Sequence, residues 1–309
     1  RFSASFHRIA VCKPLCKATA APTAPSVPRT VVPKETDVRR QGFSPFVHVI
    51  EQSKWSEGIP AVQGAHLMAS GEIAPLSTSK GVLEATSHMF DYPDGATTCA
   101  LMQFPGEMAA AQGLAEMTLG AADRAIKAKG SFSLVLSGGS LVKLLGSLGD
   151  RTAEWSKWHV FWVDERVVGH DDPDSNYKGA KEAFLSKVGI PESNVYPIAE
   201  NVMAAEAAVH YEGVLIDKVT QGVLPKNDEG FPIFDLILLG VGPDGHVASL
   251  FPNKAQTAAK EGWILPVEDS PKPPPQRITF SMPVINAASR VAIVALGDGK
   301  AEIVQRVLC

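Results

Sequence analysis

Apolar and polar positions fall into a regular alternation of element types only from about Ala96 onward. Residues 98–104 form a β-rich run that predicts a strand, and 106–129 follow with Met108, Ala111, Ala115, Leu119, Ala122 and Ile126 three or four apart, the spacing that lines one helix face. Residues 132–136 are a compact apolar run and predict a second strand. The same style of run returns at 159–163, 234–239 and 291–296. Helix-like patterns over 142–148, 178–188, 203–219 and 300–308 come between or after them.

Strands that alternate with helices predict an α/β fold, with a mostly parallel sheet covered by helices on both faces. Ligands of such sheets bind outside the C-terminal ends of the strands. Four loops are therefore expected to converge on one site: 137–140, 164–176, 240–249 and 297–300.

Composition narrows the function without naming it. The chain has 309 residues with 33 acidic against 29 basic side chains, a net charge of −4 that supplies no basic face for nucleic acid. No apolar run approaches the roughly 18 to 20 residues that cross a bilayer. The four cysteines, Cys12, Cys16, Cys99 and Cys309, are too few and too scattered for a disulfide framework.

The N-terminal stretch 1–34 holds Arg1, Arg8, Lys13, Lys17, Arg29 and Lys34, no acid, and many Ser, Ala, Thr and Pro. That is the composition of an organelle transit peptide. Its Ser/Thr/Ala/Pro bias and weak arginine amphipathicity point to the plastid stroma ahead of mitochondrion or cytosol. Residues 35–93 show no sustained period and are expected to be an extension of unassigned role, with residues 94–309 as the α/β domain. The absence of a starting Met, and a stop at Cys309 inside a helical pattern, suggest a fragment at both ends.

The loops carry distinct chemistry. Ser137, Gly138, Gly139 and Ser140 lie between a strand and a helix, where glycines let backbone N–H groups turn toward an anion such as phosphate. Lys300 sits at another helix start, a poor place for a cation unless it faces an anion, and Arg277 could clamp the same group in bidentate fashion. Asp164, Glu165 and Arg166 close a buried strand, a costly cluster unless it engages a polar ligand. Sugar hydroxyls suit the carboxylates, and Arg166 suits a developing oxyanion. An internal salt bridge is the alternative there.

Gly240, Gly242 and Gly245 spell a dinucleotide fingerprint, but Asp244 inside the turn would repel a pyrophosphate, and Pro252 leaves no room for the required helix. Asp244-Gly245-His246 reads instead as a catalytic loop. His170, Asp171, Asp172 and Asp174 invite a metal reading, yet they occupy a loop of turn formers that more simply sets loop shape. His159 opens a strand and is expected to be structural. No metal or cofactor is expected.

Four motifs in this order resemble the 6-phosphogluconolactonase family, of the same broad fold as glucosamine-6-phosphate deaminases and ribose-5-phosphate isomerases. They are Leu136-Ser-Gly-Gly-Ser140; Trp162-Val-Asp-Glu-Arg166 with Asp174-Ser-Asn-Tyr177; Gly242-Pro-Asp-Gly-His-Val-Ala-Ser-Leu-Phe-Pro252; and Arg277-Ile-Thr-Phe-Ser-Met-Pro283 with Gly297-Asp-Gly-Lys300. Deaminases carry Phe-Asn-Glu-Pro where this chain has Ser249-Leu250-Phe251-Pro252, and the absent acid favours the lactonase branch. Two departures touch the phosphate loop and the catalytic loop: Leu141-Val142 replaces a usual Thr-Pro, and Val247 a usual Thr.

The resemblance implies hydrolysis of 6-phospho-D-glucono-1,5-lactone to 6-phosphogluconate in the oxidative pentose phosphate pathway. In that reading His246 is the general base for a water, Asp244 orients it, Arg166 meets the carbonyl oxygen, and no covalent intermediate forms. Ser137, Gly138, Gly139, Ser140, Asp164, Glu165, Asn176, Gly245, Arg277 and Lys300 are then the expected substrate and phosphate contacts. The partner is a small sugar-phosphate lactone, the chain a monomer or weak homodimer. The rivals are a sugar-phosphate isomerase or deaminase on the same scaffold, and a non-catalytic sugar-phosphate-binding protein.

Overall fold

The computed structural model describes residues 46–52, 76–78, 81–83, 86–91 and 97–308, with side chains described from 100 to 306. The expected leader 1–34 lies outside the described residues.

The strands are β1 (Phe46–Gln52), β2 (Leu76–Thr78), β3 (Gly81–Leu83), β4 (Thr86–Asp91), β5 (Thr97–Gln103), β6 (Phe132–Leu136), β7 (Trp158–Trp162), β8 (Asp164–Arg166), β9 (Leu236–Gly240), β10 (Ile264–Val267), β11 (Arg277–Phe280) and β12 (Arg290–Ala295). The helices are α1 (Glu107–Lys129), α2 (Ser140–Leu144), α3 (Asn176–Ala183), α4 (Ala204–Thr220), α5 (Ala255–Ala258), α6 (Met282–Ala287) and α7 (Ala301–Leu308).

Seven strands form one sheet in the order β4-β5-β1-β12-β9-β6-β7. The β12-β9, β9-β6 and β6-β7 pairs are parallel, as the strand–helix alternation predicts, and β1, β4 and β5 extend that core antiparallel. Strand β1 comes from the 35–93 segment. It lies between β5 and β12, with Phe46 opposite Gln103 on one side and Ala295 on the other.

Apolar alternation along the parallel strands feeds two cores, one on each face. Phe132, Leu134 and Leu136 of β6 and Leu236 and Leu238 of β9 face α1 and α2, while Val135, Ile237 and Leu239 face α4 and the second sheet. All are fully buried, and each such side chain contributes roughly 1.5 to 3 kcal/mol relative to exposure. Helix α4 is also pinned through a polar group: the buried Tyr211 hydroxyl accepts from Trp162 N at 2.8 Å and donates to the Tyr196 carbonyl at 3.0 Å.

A smaller antiparallel sheet, β10-β11-β8, stands beside the C-terminal ends of the parallel strands. This sheet corrects the expectation of a loop over 164–176. Asp164, Glu165 and Arg166 form a strand, registered against Thr279, Ile278 and Arg277. Two-residue periodicity then sends Asp164 and Arg166 to one face and Glu165 to the other.

Candidate active site

The loop after β9 is a tight knot. Gly242 N donates to the His246 carbonyl at 2.8 Å and Gly245 N to the Gly242 carbonyl at 2.9 Å, while Gly245 turns at φ 88. A Cβ at Gly242 would lie 2.0 Å from His246 Nδ1 and 2.5 Å from Asp244 Oδ1, so only glycine leaves room for both side chains. No long helix follows: α5 is four residues long and begins at Ala255, which removes the dinucleotide reading.

His246 Nδ1 and Asp244 Oδ1 are 2.6 Å apart. An ionised carboxylate only accepts, so Nδ1 carries the proton and Nε2 is left as the basic nitrogen. Burial holds the imidazole below its ordinary pKa, with the Lys272 cation adding to that and Asp244 opposing it. For Asp244, burial pushes upward, but the His246 hydrogen bond and nearby charges outweigh it and hold the carboxyl below its usual range. At neutral pH the pair is therefore a neutral base beside a carboxylate. Phe251 packs on the imidazole with ring centroids 4.7 Å apart.

Lys272 is a component that the sequence reading missed. Its Nζ lies 3.4 Å from Asp244 Oδ1 and 3.3 Å from His246 Nδ1. Because Nδ1 already donates to Asp244, the lysine contact with it is one of charge rather than a hydrogen bond. Only a cation in a proline-rich stretch marks this residue in the sequence. Lys300 belongs to the same neighbourhood: burial and the Lys272 charge lower its pKa, and Asp244 raises it.

Asp164 and Arg166 present one face of β8 to this loop. Asp164 is 5% exposed, and its Oδ2 accepts from Ser249 Oγ at 2.8 Å. Its Oδ1 is buried without a partner among the described residues, as is Arg166 Nε. Arg166 is held by one bond, Nη1 to the Asp174 carbonyl at 2.6 Å, which leaves further guanidinium donors for a ligand. An orphaned acceptor beside an orphaned donor suits a molecule that offers both hydroxyls and oxygen acceptors.

Two expected ligand contacts have other tasks. Glu165 is 1% exposed and points away from the site. It accepts from Arg166 N, Asn176 N and Tyr177 N, each at 2.8 Å, so it fastens the N-terminus of α3. Burial raises its carboxyl to about 7, against the three amides, which favour the carboxylate. Arg277 is 4% exposed rather than open to a phosphate, and its guanidinium bonds the backbone of residues 272–274.

Asn176 is likewise a strut. Its Nδ2 donates to the Asp164 carbonyl at 2.8 Å, and a Cβ at Gly138 would fall 1.9 Å from its Oδ1. It thus ties β8 to the loop of Ser137, Gly138, Gly139 and Ser140. That loop lies against the end of β9, since a Cβ on Gly240 would lie 4.0 Å from both Gly138 O and Ser137 Oγ. Gly139 turns at φ 77, and α2 begins at Ser140.

His159 stays apart from the site, and the acidic run touches it only through the Asp174 carbonyl that holds Arg166. His159 Nδ1 meets the Tyr196 hydroxyl at 2.9 Å, and His170 Nε2 meets the Ile198 carbonyl at 2.8 Å. Both are structural contacts. No cluster of three or more His, Cys, Asp or Glu side chains able to hold a metal ion occurs among the described residues.

Residues 105–309 match the family described as glucosamine-6-phosphate isomerases/6-phosphogluconolactonase. "Probable 6-phosphogluconolactonase 4, chloroplastic" of Oryza sativa subsp. indica is 40% identical over 295 residues, covering 94% of this chain and 88% of that protein. "6-phosphogluconolactonase 3, chloroplastic" of Arabidopsis thaliana is 49% identical over 200 residues, covering 63% of this chain and 62% of its own. Among solved structures, the 6-phosphogluconolactonase of Leishmania guyanensis superposes with a TM-score of 0.51 at 28% identity, over 58% of this chain and 74% of that one.

Proposed function

The chain belongs to the glucosamine-6-phosphate isomerase/6-phosphogluconolactonase family, and from that premise we propose that it is a 6-phosphogluconolactonase, a hydrolase of the oxidative pentose phosphate pathway. The observation that carries the chemistry is the 2.6 Å Asp244–His246 pair, set beside the unpartnered oxygen of Asp164. Neutral Nε2 of His246 takes a proton from a water, and the resulting hydroxide attacks the lactone carbonyl. Asp244 keeps the imidazole in the required tautomer and steadies the imidazolium as it forms.

Negative charge then develops on the carbonyl oxygen, where the free guanidinium donors of Arg166 stabilise it. Collapse of the tetrahedral intermediate breaks the bond to the ring oxygen, which takes the proton back from His246. The product is an open-chain carboxylic acid, which releases its proton to solvent and leaves as the carboxylate. Asp164 Oδ1 accepts a sugar hydroxyl, and the distant phosphate lies among Lys300, Lys272 and the amides of Ser137, Gly138, Gly139 and Ser140. The substrate is held at its far end, so the carbonyl meets the activated water in a fixed geometry.

The deaminase alternative finds little support at Phe251. Deaminases of this scaffold place a Glu at the matching motif position, and here a phenyl ring that is 2% exposed packs on His246. A pure binding protein needs no half-buried neutral base. The plastid is the compartment this reading favours, because the relatives named above are called chloroplastic and residues 1–34 lack any acid.

The test couples lactone hydrolysis to 6-phosphogluconate dehydrogenase and subtracts the spontaneous rate. The wild-type chain is expected to exceed that background by orders of magnitude and to release no ammonia from glucosamine 6-phosphate. Background-level hydrolysis with tight binding of 6-phosphogluconate would establish the binding-protein reading instead.

A further inference from the structure

Arg277 looks at first like a ligand arginine, because it stands beside Asp164, Arg166 and Ser249 at the mouth of the site. Its donors are spent elsewhere. Nε donates to the Pro274 carbonyl at 2.9 Å, and Nη2 donates to the Lys272 carbonyl at 2.9 Å and the Pro273 carbonyl at 3.0 Å. Nη1 reaches Ser249 Oγ at 3.4 Å, and the guanidinium carbon lies 5.9 Å from the centroid of Phe251. At 4% exposure on the central strand of the small sheet, the side chain has a rigid base.

Each partner leads to the same imidazole. Lys272 extends its ammonium to within 3.3 Å of His246 Nδ1, Phe251 packs on the ring, and Ser249 holds the Asp164 carboxylate. Residues 271–275 read Pro-Lys-Pro-Pro-Pro and supply few backbone N–H groups for a ladder, so the segment is fastened by a local turn, in which Ser270 Oγ donates to the Lys272 carbonyl and accepts from Lys272 N and Ser270 N donates to the Pro275 carbonyl, and by side-chain donors from outside. A planar cation with five donors is the side chain suited to collect three neighbouring carbonyls.

We propose that Arg277 is a positioning residue: by binding the carbonyls of Lys272, Pro273 and Pro274, it holds the Lys272 ammonium against the Asp244–His246 pair. The proposal rests on the lactonase reading for its catalytic meaning, but its structural content does not need the substrate. The charged groups that face His246 are Asp244 from its own loop, Lys272 from the proline-rich segment and Asp164 from β8. Of these, only Lys272 is a cation, and it favours the neutral imidazole. Loss of its placement therefore raises the pH at which His246 takes up a proton.

The experiment follows His246 by NMR titration of its Cε1 proton in the ligand-free full chain, alongside kcat and KM for the lactone. Arg277→Lys keeps the charge, but a lone ammonium cannot span three carbonyls. Its His246 midpoint is expected to move upward, toward that of Lys272→Met, with a fall in kcat of about tenfold from lost alignment. In the Lys272→Met background, Arg277→Lys should add no further shift.

A second variant, one glycine inserted between Pro274 and Pro275, frees Lys272 while leaving Arg277 on its strand. It should reproduce the upward midpoint and keeps the question open to test if Arg277→Lys does not fold. A wild-type midpoint in either variant, or a rise in KM alone, would overturn the proposal and make Arg277 a substrate contact. Because the titration needs no lactone, failure of the lactonase assay and failure of this inference are separate results.

Discussion

The two ends of the parallel strands treat their carboxylates in opposite ways. At the N-terminal end, Asp235 Oδ2 accepts from Ser133 N and Ser133 Oγ, both at 2.7 Å, and pairs with Lys129 Nζ at 3.0 Å. The Ser133 hydroxyl also accepts from Asp235 N at 2.9 Å, so β6 and β9 are latched in register. At the C-terminal end, Asp164 is more deeply buried yet has an oxygen without a partner among the described residues, and the neighbouring loop is packed so tightly that Gly242 tolerates no Cβ. The first arrangement closes every bond and stabilises the fold. The second leaves polar groups unsatisfied, and the cost is recovered only when a ligand arrives.

This contrast predicts that changes at the two ends separate activity from stability. Gly242→Ala should have the largest effect on rate. Its methyl displaces His246 or Asp244, lowering kcat/KM by about a hundredfold or more for a shift of an ångström. Steady-state kinetics read that loss, while circular dichroism should show an intact fold. Normal activity in Gly242→Ala would mean that the tight knot is not what aims the base.

Asp235→Ala should do the reverse. It orphans the buried Ser133 N–H, at a cost of about 1 to 3 kcal/mol of stability, while Lys129 keeps its bond to the Val223 carbonyl at 3.2 Å. Urea unfolding measures this, and kcat at a temperature where the variant remains folded should match wild type.

A smaller effect concerns pH. Burial, assisted by the Lys129 and Lys218 cations, lowers His159 at the latched end to about 4. A depressed folded-state value means that the unfolded chain binds the proton first, so this contribution is present above about 6.5 and is lost as pH falls toward 4. Glu165, raised to about 7, acts with the opposite sign: its contribution is complete below about 4.5 and is lost as pH rises through 7. His159→Asn should therefore flatten the acid side of the stability profile. With the residue only partly buried, the effect is about 1 kcal/mol after discounting for solvent. An unchanged slope between pH 6.5 and 4 would remove His159 from the account.

The same contrast explains what the sequence could show. Strand β6 coincides with its apolar run, and α1 and α4 follow their helical spacing within a residue or so, because burial on a continuous face leaves a local periodic trace. Two of the three strands of the small sheet left almost none. Strand β8 is three charged residues, and β10 contains Pro266, so both resemble loops until their partners are seen. Strand β1 is fixed by pairing with residues far along the chain, and no local period announces such a register.

At the site, Asp244, His246, Asp164 and Arg166 were candidates because costly residue types sat at strand ends. Glu165 was misassigned for the same reason: a charge cluster does not say which face of a strand each member takes. Arg277 and Lys272 depend on a backbone path through prolines that no spacing rule predicts.

We propose that His246, aimed by the loop after β9, is the base that activates water. It is tested most directly by comparing His246→Ala with wild type in the background-corrected lactonase assay, with thermal melts on the same samples. A general base contributes on the order of 10² to 10⁴ in rate, so the variant should fall by at least a hundredfold while its melting temperature stays within a few degrees. Wild-type hydrolysis by a folded His246→Ala protein would contradict the account.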